Sequence, residues 1–304
     1  MELKKIRKST GRFFGWLALV VCSWVIKVIP QRSLYGFAET IAHLAYKFTP
    51  RQRRAALESL QTAFGNEKGQ KEIEDIARQS FVNMAKSAIE IIYLMDKPDL
   101  LKKRIFLRNK EYLENALKQK RGIILVSAHF GNFPLLLARL SQEGYPVSGI
   151  MRPMRDLRVE KIFLAKRRKY GVKTIYSQPR NTCVNSTIEA LRLNGIVFIP
   201  IDQNFGTAGV FVDFFGRKAA TATGPVVFAQ RTLAALVPCF IIRRRDNSHE
   251  IIFEPPLALD KSDTPQETIR MNLQKLTGII ESYIRKYPAE WEWIHRRWKT
   301  KPSE

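Results

Sequence analysis

The chain has 304 residues, with 51 lysines and arginines against 28 aspartates and glutamates, so its formal net charge is +23. Its length and its evenly spread 45% hydrophobic content exclude extensive disorder and suffice for one large domain. The positive charge favours anionic partners, such as phospholipid headgroups, nucleic acid or acidic proteins. Three scattered cysteines argue against a disulfide framework and favour a reducing, cytoplasmic environment, and the four histidines show no zinc-binding spacing.

The amino terminus joins a basic segment, MELKKIRKSTGR, to an apolar run, FFGWLALVVCSWVIKVIP, that ends at Pro30. The run offers roughly 17 apolar residues, near the lower limit for crossing a bilayer. No small-residue cleavage site follows, so a cleaved signal peptide is disfavoured. Basic flanks on both sides fit a helix that dips into the cytoplasmic leaflet as well as one that spans the membrane. A buried core helix is the third interpretation.

Residues 31–118 have apolar residues at helical spacing and predict a helical region. From Arg121 onward, short β-branched runs such as GIILVSA, YPVSGIMRP and IVFIPID alternate with helical patterns such as PLLLARLSQEG. This alternation predicts an α/β fold with a mixed, partly parallel central sheet flanked by helices, after an N-terminal membrane-associated helix. We expect an anchor segment at 1–30, the helical region at 31–118 and an α/β domain at 119–304, with 31–304 forming one compact unit. The segment 204–224 is predicted to be a long irregular loop.

His129 lies where the strand GIILVSA is predicted to end, at the sheet edge where α/β proteins bind ligands. Pro134 suits the first turn of the next helix and places Asn132 or Phe133 at its cap. The positive end of that helix is expected to lower the pKa of His129 and keep the ring neutral, as a base requires. A structural histidine in a turn is the alternative.

Five blocks occur in a fixed order: SAHFGNF, the RP pair at 152–153, IPIDQNFG, VFVDFFGRKAATATGPVVFAQRT and WIHRRWKTKP. Together they resemble the lauroyl/myristoyl acyltransferase family of lipid A biosynthesis, within the glycerolipid acyltransferase group. The resemblance covers nearly the whole chain. It implies a glycerolipid acyltransferase-like fold, no metal or organic cofactor, and transfer of a fatty acyl chain from a thioester to a hydroxyl of a membrane glycolipid.

The signature of that family is a histidine followed, after four residues, by an acid. The histidine removes the proton of the acceptor hydroxyl, and the acid orients the ring. Here the histidine is His129, but the acid position is occupied by Pro134, which has no side-chain acceptor. Three explanations are open. Another acid orients the ring, with Asp202 the first choice; His129 acts unaided at a reduced rate; or catalysis is lost and lipid binding remains.

Several polar residues in the same blocks are predicted to contact substrate. Asn132, with backbone amides near Gly131, is predicted to stabilise the oxyanion, with a turn residue as the alternative. Guanidinium groups bind phosphate bidentately, so the arginines of the blocks are predicted to contact headgroup phosphate or stabilise the site. They are Arg152, Arg168, Arg217 and Arg297. Family members often have the sequence Asp-Gln-Asp where this chain has Asp202, Gln203 and Asn204, so the first acid is retained and the third position has lost its charge.

The aromatic run VFVDFFG is open to two interpretations, an acyl-chain or membrane contact and core packing. The tryptophans of the tail are either interfacial anchors or packed back on the domain.

The resulting prediction is an acyltransferase on the cytoplasmic face of a bacterial inner membrane, with an anionic membrane surface as a partner. Its donor is acyl carrier protein or acyl-CoA and its acceptor a lipid A precursor or related glycolipid, with a lysophospholipid as the alternative. Nucleic acid is not an expected partner, because basic residues are interleaved with acids and no nucleic-acid module is present.

Overall fold

A computed structural model of the protein describes residues 2–302, with side chains from Thr10 onward. The first third of these residues is helical, and α2 packs against α4. Short 3-10 helices lie at 31–33 and 94–96. The α-helices here are α1 (Glu2–Val28), α2 (Leu34–Phe48), α3 (Pro50–Phe64), α4 (Gln70–Tyr93) and α5 (Pro98–Arg104).

Helix α1 contains a 19-residue stretch, Thr10–Val28, that is long and apolar enough to cross a membrane by length and composition. Only 6% of this stretch is buried. A buried core helix is therefore the wrong interpretation of the apolar amino terminus.

The rest of the described chain alternates strands and helices. The strands are β1 (Ile105–Arg108), β2 (Ile123–Ser127), β3 (Val147–Met151), β4 (Lys173–Tyr176), β5 (Ile196–Pro200), β6 (Val210–Phe214), β7 (Arg217–Thr221), β8 (Ala235–Arg243) and β9 (His249–Phe253). The helices are α6 (Lys110–Lys118), α7 (Phe133–Gln142), α8 (Leu157–Lys169), α9 (Arg180–Arg192), α10 (Gly224–Thr232) and α11 (Pro265–Lys286), with 3-10 helices at 206–208 and 288–290.

Seven strands form one sheet in the order β1–β9–β8–β2–β5–β3–β4. Neighbouring strands are parallel except for the antiparallel pair β8 and β9. Strands β6 and β7 form a separate antiparallel hairpin. The predicted α/β fold, with a mixed and mostly parallel sheet flanked by helices, is confirmed.

Both faces of the sheet are covered, because side chains alternate along each strand and every residue of β2 is buried. On one face, Ile124 and Val126 join an apolar cluster with residues of α2, α3, α4, α10 and α11. On the other face, Ile123 and Leu125 join a second cluster with residues of α5, α6 and α7. Two opposed cores therefore fix the strand ends that carry the candidate site.

Two sequence predictions were wrong in detail. Strand β1 lies inside the predicted helical region, because its four residues, IFLR, are too few between two helices to show a distinctive periodicity. The segment 204–224 is not irregular throughout, since it contains the hairpin β6–β7. Phe214 and Phe215 of that hairpin are buried, and Trp291 and Trp293 of the tail are buried with them, so the core-packing interpretation of both aromatic groups is correct.

Candidate active site

His129 and Asp202 meet at the carboxyl edge of the sheet. Each lies two residues beyond the end of its strand, and those strands, β2 and β5, are parallel neighbours. Nδ1 of His129 lies 2.9 Å from Oδ1 of Asp202. This pair brings together a potential base and an acid that are 73 residues apart in the chain.

The carboxylate of Asp202 is held on its other side by the tail of the chain. The indole Nε1 of Trp291 donates a hydrogen bond of 2.7 Å to Oδ2 of Asp202. The Asp202 side chain is 2% exposed, whereas that of His129 is 24% exposed. Because ionised Asp202 only accepts hydrogen bonds, Nδ1 of His129 carries the proton, and the lone pair of the neutral ring is on Nε2.

The backbone of the His129 turn is fixed by the same tail segment. The amide of Gly131 donates to the carbonyl of Glu290 at 2.8 Å, and the amide of Glu292 donates to the carbonyl of His129 at 3.2 Å. Gly131 has φ +57°, and a Cβ there would lie 2.0 Å from the carbonyl oxygen of Ile241. Only glycine fits this position, which explains the glycine two residues after the histidine.

Aromatic rings support the imidazole from the side of helix α7. The ring of Phe133 meets that of His129 edge to face at a centroid distance of 5.4 Å. Phe133 in turn stacks on Phe198 of β5, 5.7 Å away. Helix α7 begins at Phe133 with Asn132 as its cap and Pro134 in its first turn, as predicted.

The electrostatics of the pair differ from one expectation. Burial alone lowers the pKa of His129, but the negative charge and the hydrogen bond of Asp202 raise it above its ordinary value. The expected lowering by the terminus of α7 is therefore wrong, because the contacting carboxylate dominates. Burial alone raises the pKa of Asp202, yet His129 and the indole of Trp291 lower it below its ordinary value. The pair is thus an ionised acid beside a ring that holds its proton more tightly.

Comparison with known proteins agrees with the resemblance of the sequence blocks. Residues 1–300 match the model of a family described as bacterial lipid A biosynthesis acyltransferase. The chain belongs to this family. It is 25% identical to a lipid A biosynthesis lauroyltransferase of Escherichia coli (strain K12), over 95% of this chain and 92% of the relative. It is 26% identical to a lipid A biosynthesis palmitoleoyltransferase of the same strain, over 94% and 91%.

A more distant relative is a phosphatidylinositol mannoside acyltransferase of Mycolicibacterium smegmatis (strain ATCC 700084 / mc(2)155), 24% identical over 62% of this chain and 60% of the relative. The protein is thus an acyltransferase of the lipid A or glycolipid type, which implies an acyl donor and a glycolipid acceptor. Its departure at Pro134 coincides with a contact between His129 and Asp202 that the first of the three explanations requires.

In this acyltransferase Asn132 is turned away from the imidazole. Its side-chain amide donates to the carbonyl of Ser87 at 3.1 Å and to Oε2 of Glu90 at 3.0 Å. Glu90 is itself buried and bonded to Arg243 and His249. Both amide hydrogens of Asn132 are used, so the residue ties helix α4 to the His129 turn and does not fit the predicted oxyanion contact.

Arg297 is also used within the protein. Its guanidinium is buried and donates to the carbonyls of Gln203, at 3.1 Å, and Ala220, and to the hydroxyl of Thr221. Burial lowers the pKa of Arg297 to about 10. This arginine joins the Asp202 loop to strand β7, a site that no headgroup phosphate reaches, and so does not fit the predicted phosphate contact.

The other predicted arginines are exposed but differ in position. Arg152 directly follows β3, on the carboxyl edge that also bears His129. Arg168 lies near the end of α8, which returns the chain to the opposite edge, and it is not brought to the site. Arg217 starts β7 at the tip of the hairpin.

Sequence reasoning missed the contribution of the tail to the site. Trp291 binds Asp202, and the imidazole Nε2 of His295 accepts a hydrogen bond of 3.0 Å from the amide of Asn204. Glu292 lies beside this group, and burial raises its pKa. Of these residues only His295 lies in the WIHRRWKTKP block, which resembles the family without indicating what its residues touch; Trp291 and Glu292 directly precede the block.

Proposed function

We propose that the protein transfers a fatty acyl chain from acyl carrier protein to a hydroxyl of a lipid A precursor or related glycolipid, at the cytoplasmic face of a bacterial inner membrane. The observation that carries this proposal is the pairing of His129 with Asp202. It supports an imidazole with an unprotonated Nε2, at the edge of an α/β sheet where ligands bind.

The chemistry follows from that pair. Nε2 of His129 takes the proton of the acceptor hydroxyl while its oxygen attacks the thioester carbonyl carbon. Asp202 stays ionised and stabilises the imidazolium that forms. The tetrahedral intermediate then collapses, the carbon–sulfur bond breaks, and the imidazolium returns the proton to the thiolate. The products are an ester and a free thiol, and no other reactant is needed.

The two substrates have different support. The relatives named for lauroyl and palmitoleoyl transfer in lipid A biosynthesis, and for phosphatidylinositol mannoside, favour a glycolipid acceptor. Arg152, exposed on the reacting edge, is suited to a headgroup phosphate. A net charge of +23 favours acidic acyl carrier protein over the smaller acyl-CoA as donor, through electrostatic steering.

The direct test uses purified enzyme in detergent with lauroyl acyl carrier protein or lauroyl-CoA. Acceptors are a lipid A precursor, a phosphatidylinositol mannoside and a lysophospholipid, and products are identified by mass spectrometry. We expect one added acyl chain on a glycolipid and faster turnover with acyl carrier protein. If only the lysophospholipid were acylated, the acceptor would be a lysophospholipid and not a glycolipid. If no pair of donor and acceptor reacted, the protein would be a relative that binds lipid without catalysis. A lipid profile of a deletion strain then identifies the native product.

A further inference from the structure

Helix α1 has two apolar stripes with different surroundings. The inner stripe packs towards the rest of the protein and contains Trp16, Leu19, Cys22 and Ile26. The outer stripe is exposed, and its residues recur at intervals of three and four, which places them on one face of the helix. We define the outer stripe as Phe14, Leu17, Val21, Trp24 and Val28.

The inner stripe holds α1 against the protein near both ends of its apolar stretch. Near the carboxyl end, Ile26 is buried in a cluster with Ile89 of α4. Near the amino end, the guanidinium of Arg158 in α8 lies 5.3 Å from the ring centroid of Phe13 and 4.9 Å from that of Trp16. The fourteen residues from Phe13 to Ile26 cover about 20 Å of helix, against a hydrocarbon core of about 30 Å.

A transmembrane position conflicts with these contacts. If α1 crossed the bilayer, the parts of the protein attached along it would enter the hydrocarbon. Helix α8 alone would bring two charged pairs into the hydrocarbon. They are Arg158 with Asp156, at 2.6 Å, and Lys166 with Asp96, at 2.8 Å. Charged groups are expensive there, so the attachment favours a helix that stays on one side.

We propose that α1 lies in the plane of a single leaflet of an anionic phospholipid bilayer, with its outer stripe among the acyl chains. This proposal rests on the membrane association included in the proposed function. An apolar face along a helix with basic flanks is the pattern of interfacial helices. Arg12 and Lys27, both exposed, stand at the two ends of the outer stripe, where headgroup phosphates lie.

The segment between β3 and α8 extends the same membrane surface. Leu157 is 72% exposed and Met154 is also exposed, beside the attachment of Arg158 to α1. Arg152 and Arg155 flank these apolar side chains and are exposed as well. Apolar tips between cations suit an anionic interface, where the hydrocarbon accepts the tips and phosphates accept the arginines.

This surface adjoins the reacting edge of the sheet. The segment after β3 leaves the carboxyl edge on which His129 and Asp202 lie. An in-plane α1 therefore turns that edge towards the headgroups of the leaflet. A glycolipid hydroxyl then reaches the imidazole while its acyl chains stay in the membrane.

Cysteine labelling tests the side on which the amino terminus lies. Ser9→Cys, just before the apolar stretch, and Asp263→Cys, in an exposed loop before α11, are labelled with a membrane-impermeant maleimide; the chain without an added cysteine is the blank. Right-side-out and inverted inner-membrane vesicles are compared. We expect both cysteines to react only in inverted vesicles. Reaction of Ser9→Cys only from the opposite side to Asp263→Cys would overturn the in-plane helix.

Acyl transfer assayed on the same membranes separates this result from the proposed function. Activity together with opposite-side labelling would overturn the topology alone. Same-side labelling with no activity on any substrate pair would overturn the function alone.

Fluorescence tests the second contact. Leu157→Cys and the matched control Leu193→Cys, 70% exposed at the other edge of the sheet, are labelled with bimane and reconstituted in phosphatidylglycerol-containing vesicles. Lipids with a doxyl group in the acyl chain should remove most of the emission at 157 and little at 193. Equal quenching at both positions, or none at 157, would overturn the membrane contact of this segment. An absence of quenching at position 157 would be expected if a protein partner, and not the membrane, covered this segment.

Discussion

Asp202 binds His129 through one carboxylate oxygen, at 2.9 Å from Nδ1, while its other oxygen accepts a hydrogen bond from Trp291. The acid is almost fully buried and the ring is not. The family signature has an acid at the fifth residue after the histidine, where this chain has Pro134. Here the loop after a neighbouring strand supplies a carboxylate to Nδ1, and the tail of the chain fixes the orientation of that carboxylate.

Replacing Asp202 with asparagine should lower kcat by about 10²–10⁴ and leave KM within about threefold. The asparagine amide would donate to Nδ1, so the neutral ring would carry its proton on Nε2 and lose the lone pair that a base needs. Steady-state kinetics with acyl carrier protein donor measure the effect, with the exposed Asp263→Asn as control. An equal fall in both variants, or none in Asp202→Asn, would show that Asp202 does not orient the ring.

The pH profile should follow the raised pKa of His129. The neutral ring, which is the base form, predominates only above that pKa. The value of kcat/KM should therefore rise with pH, and the midpoint of this acidic limb should lie above 6.5, the ordinary pKa of histidine. Without the charge of Asp202, burial would lower the pKa, so the residual activity of Asp202→Ala should have its limb at lower pH. Glu292 also raises the pKa of His129, but less than Asp202 does, so Glu292→Gln should move the limb to lower pH by a smaller amount. An unmoved limb in Asp202→Ala would contradict the assignment.

Restoring the acid of the family signature should not help this enzyme. Nδ1 of His129 already binds Asp202, so Pro134→Glu offers a second carboxylate to an occupied nitrogen. We expect its kcat to stay within about threefold of the parent or to fall, and the double variant with Asp202→Asn to remain as slow as Asp202→Asn alone. Recovery of the double variant by about tenfold or more would mean that the ring accepts an acid from either position.

The Glu90 cluster should carry a large share of the stability. Glu90→Ala would leave Arg243 and His249 buried without their carboxylate, a loss of about 3–5 kcal/mol in the free energy of unfolding. Burial alone raises the pKa of Glu90, but His249 and Arg243 lower it below its ordinary value of 4.5, so the stabilisation is present above that pH and is lost as pH falls below it.

Urea unfolding in detergent at pH 7.5 and pH 4 measures both effects. Glu72→Ala, which removes an exposed pair with Lys68, is the matched control and should cost less than about 1 kcal/mol. A loss in Glu90→Ala as small as in Glu72→Ala would show that the cluster is not stabilising.

Much of the fold and the central pair of the site could be predicted from local pattern. Short β-branched runs identified the strands, and parallel neighbours must bring their carboxyl ends to one edge, so His129 and Asp202 were expected to be close. The contact of Trp291 with Asp202 could not be predicted. It depends on where a tail folds back almost ninety residues later, which no periodicity encodes.

The burial of single polar residues could not be predicted from the sequence either. Arg297 and Arg152 are the same residue type in similar basic stretches, yet one binds backbone carbonyls in the interior and the other is exposed. Glu90 occupies an ordinary position in a helical pattern, and only the packing of α4 against β8 and β9 gives it the buried partners Arg243 and His249. Side-chain partners of this kind are decided by tertiary contacts rather than by sequence neighbours.

The central claim is that the imidazole of His129 is the base of acyl transfer. The most direct measurement is kcat of His129→Ala in the purified acyltransferase, with binding to anionic vesicles measured on the same sample. We predict a fall in kcat of at least about 10², the lower range for loss of a general base, with vesicle binding unchanged. An activity within about threefold of the parent would contradict the account.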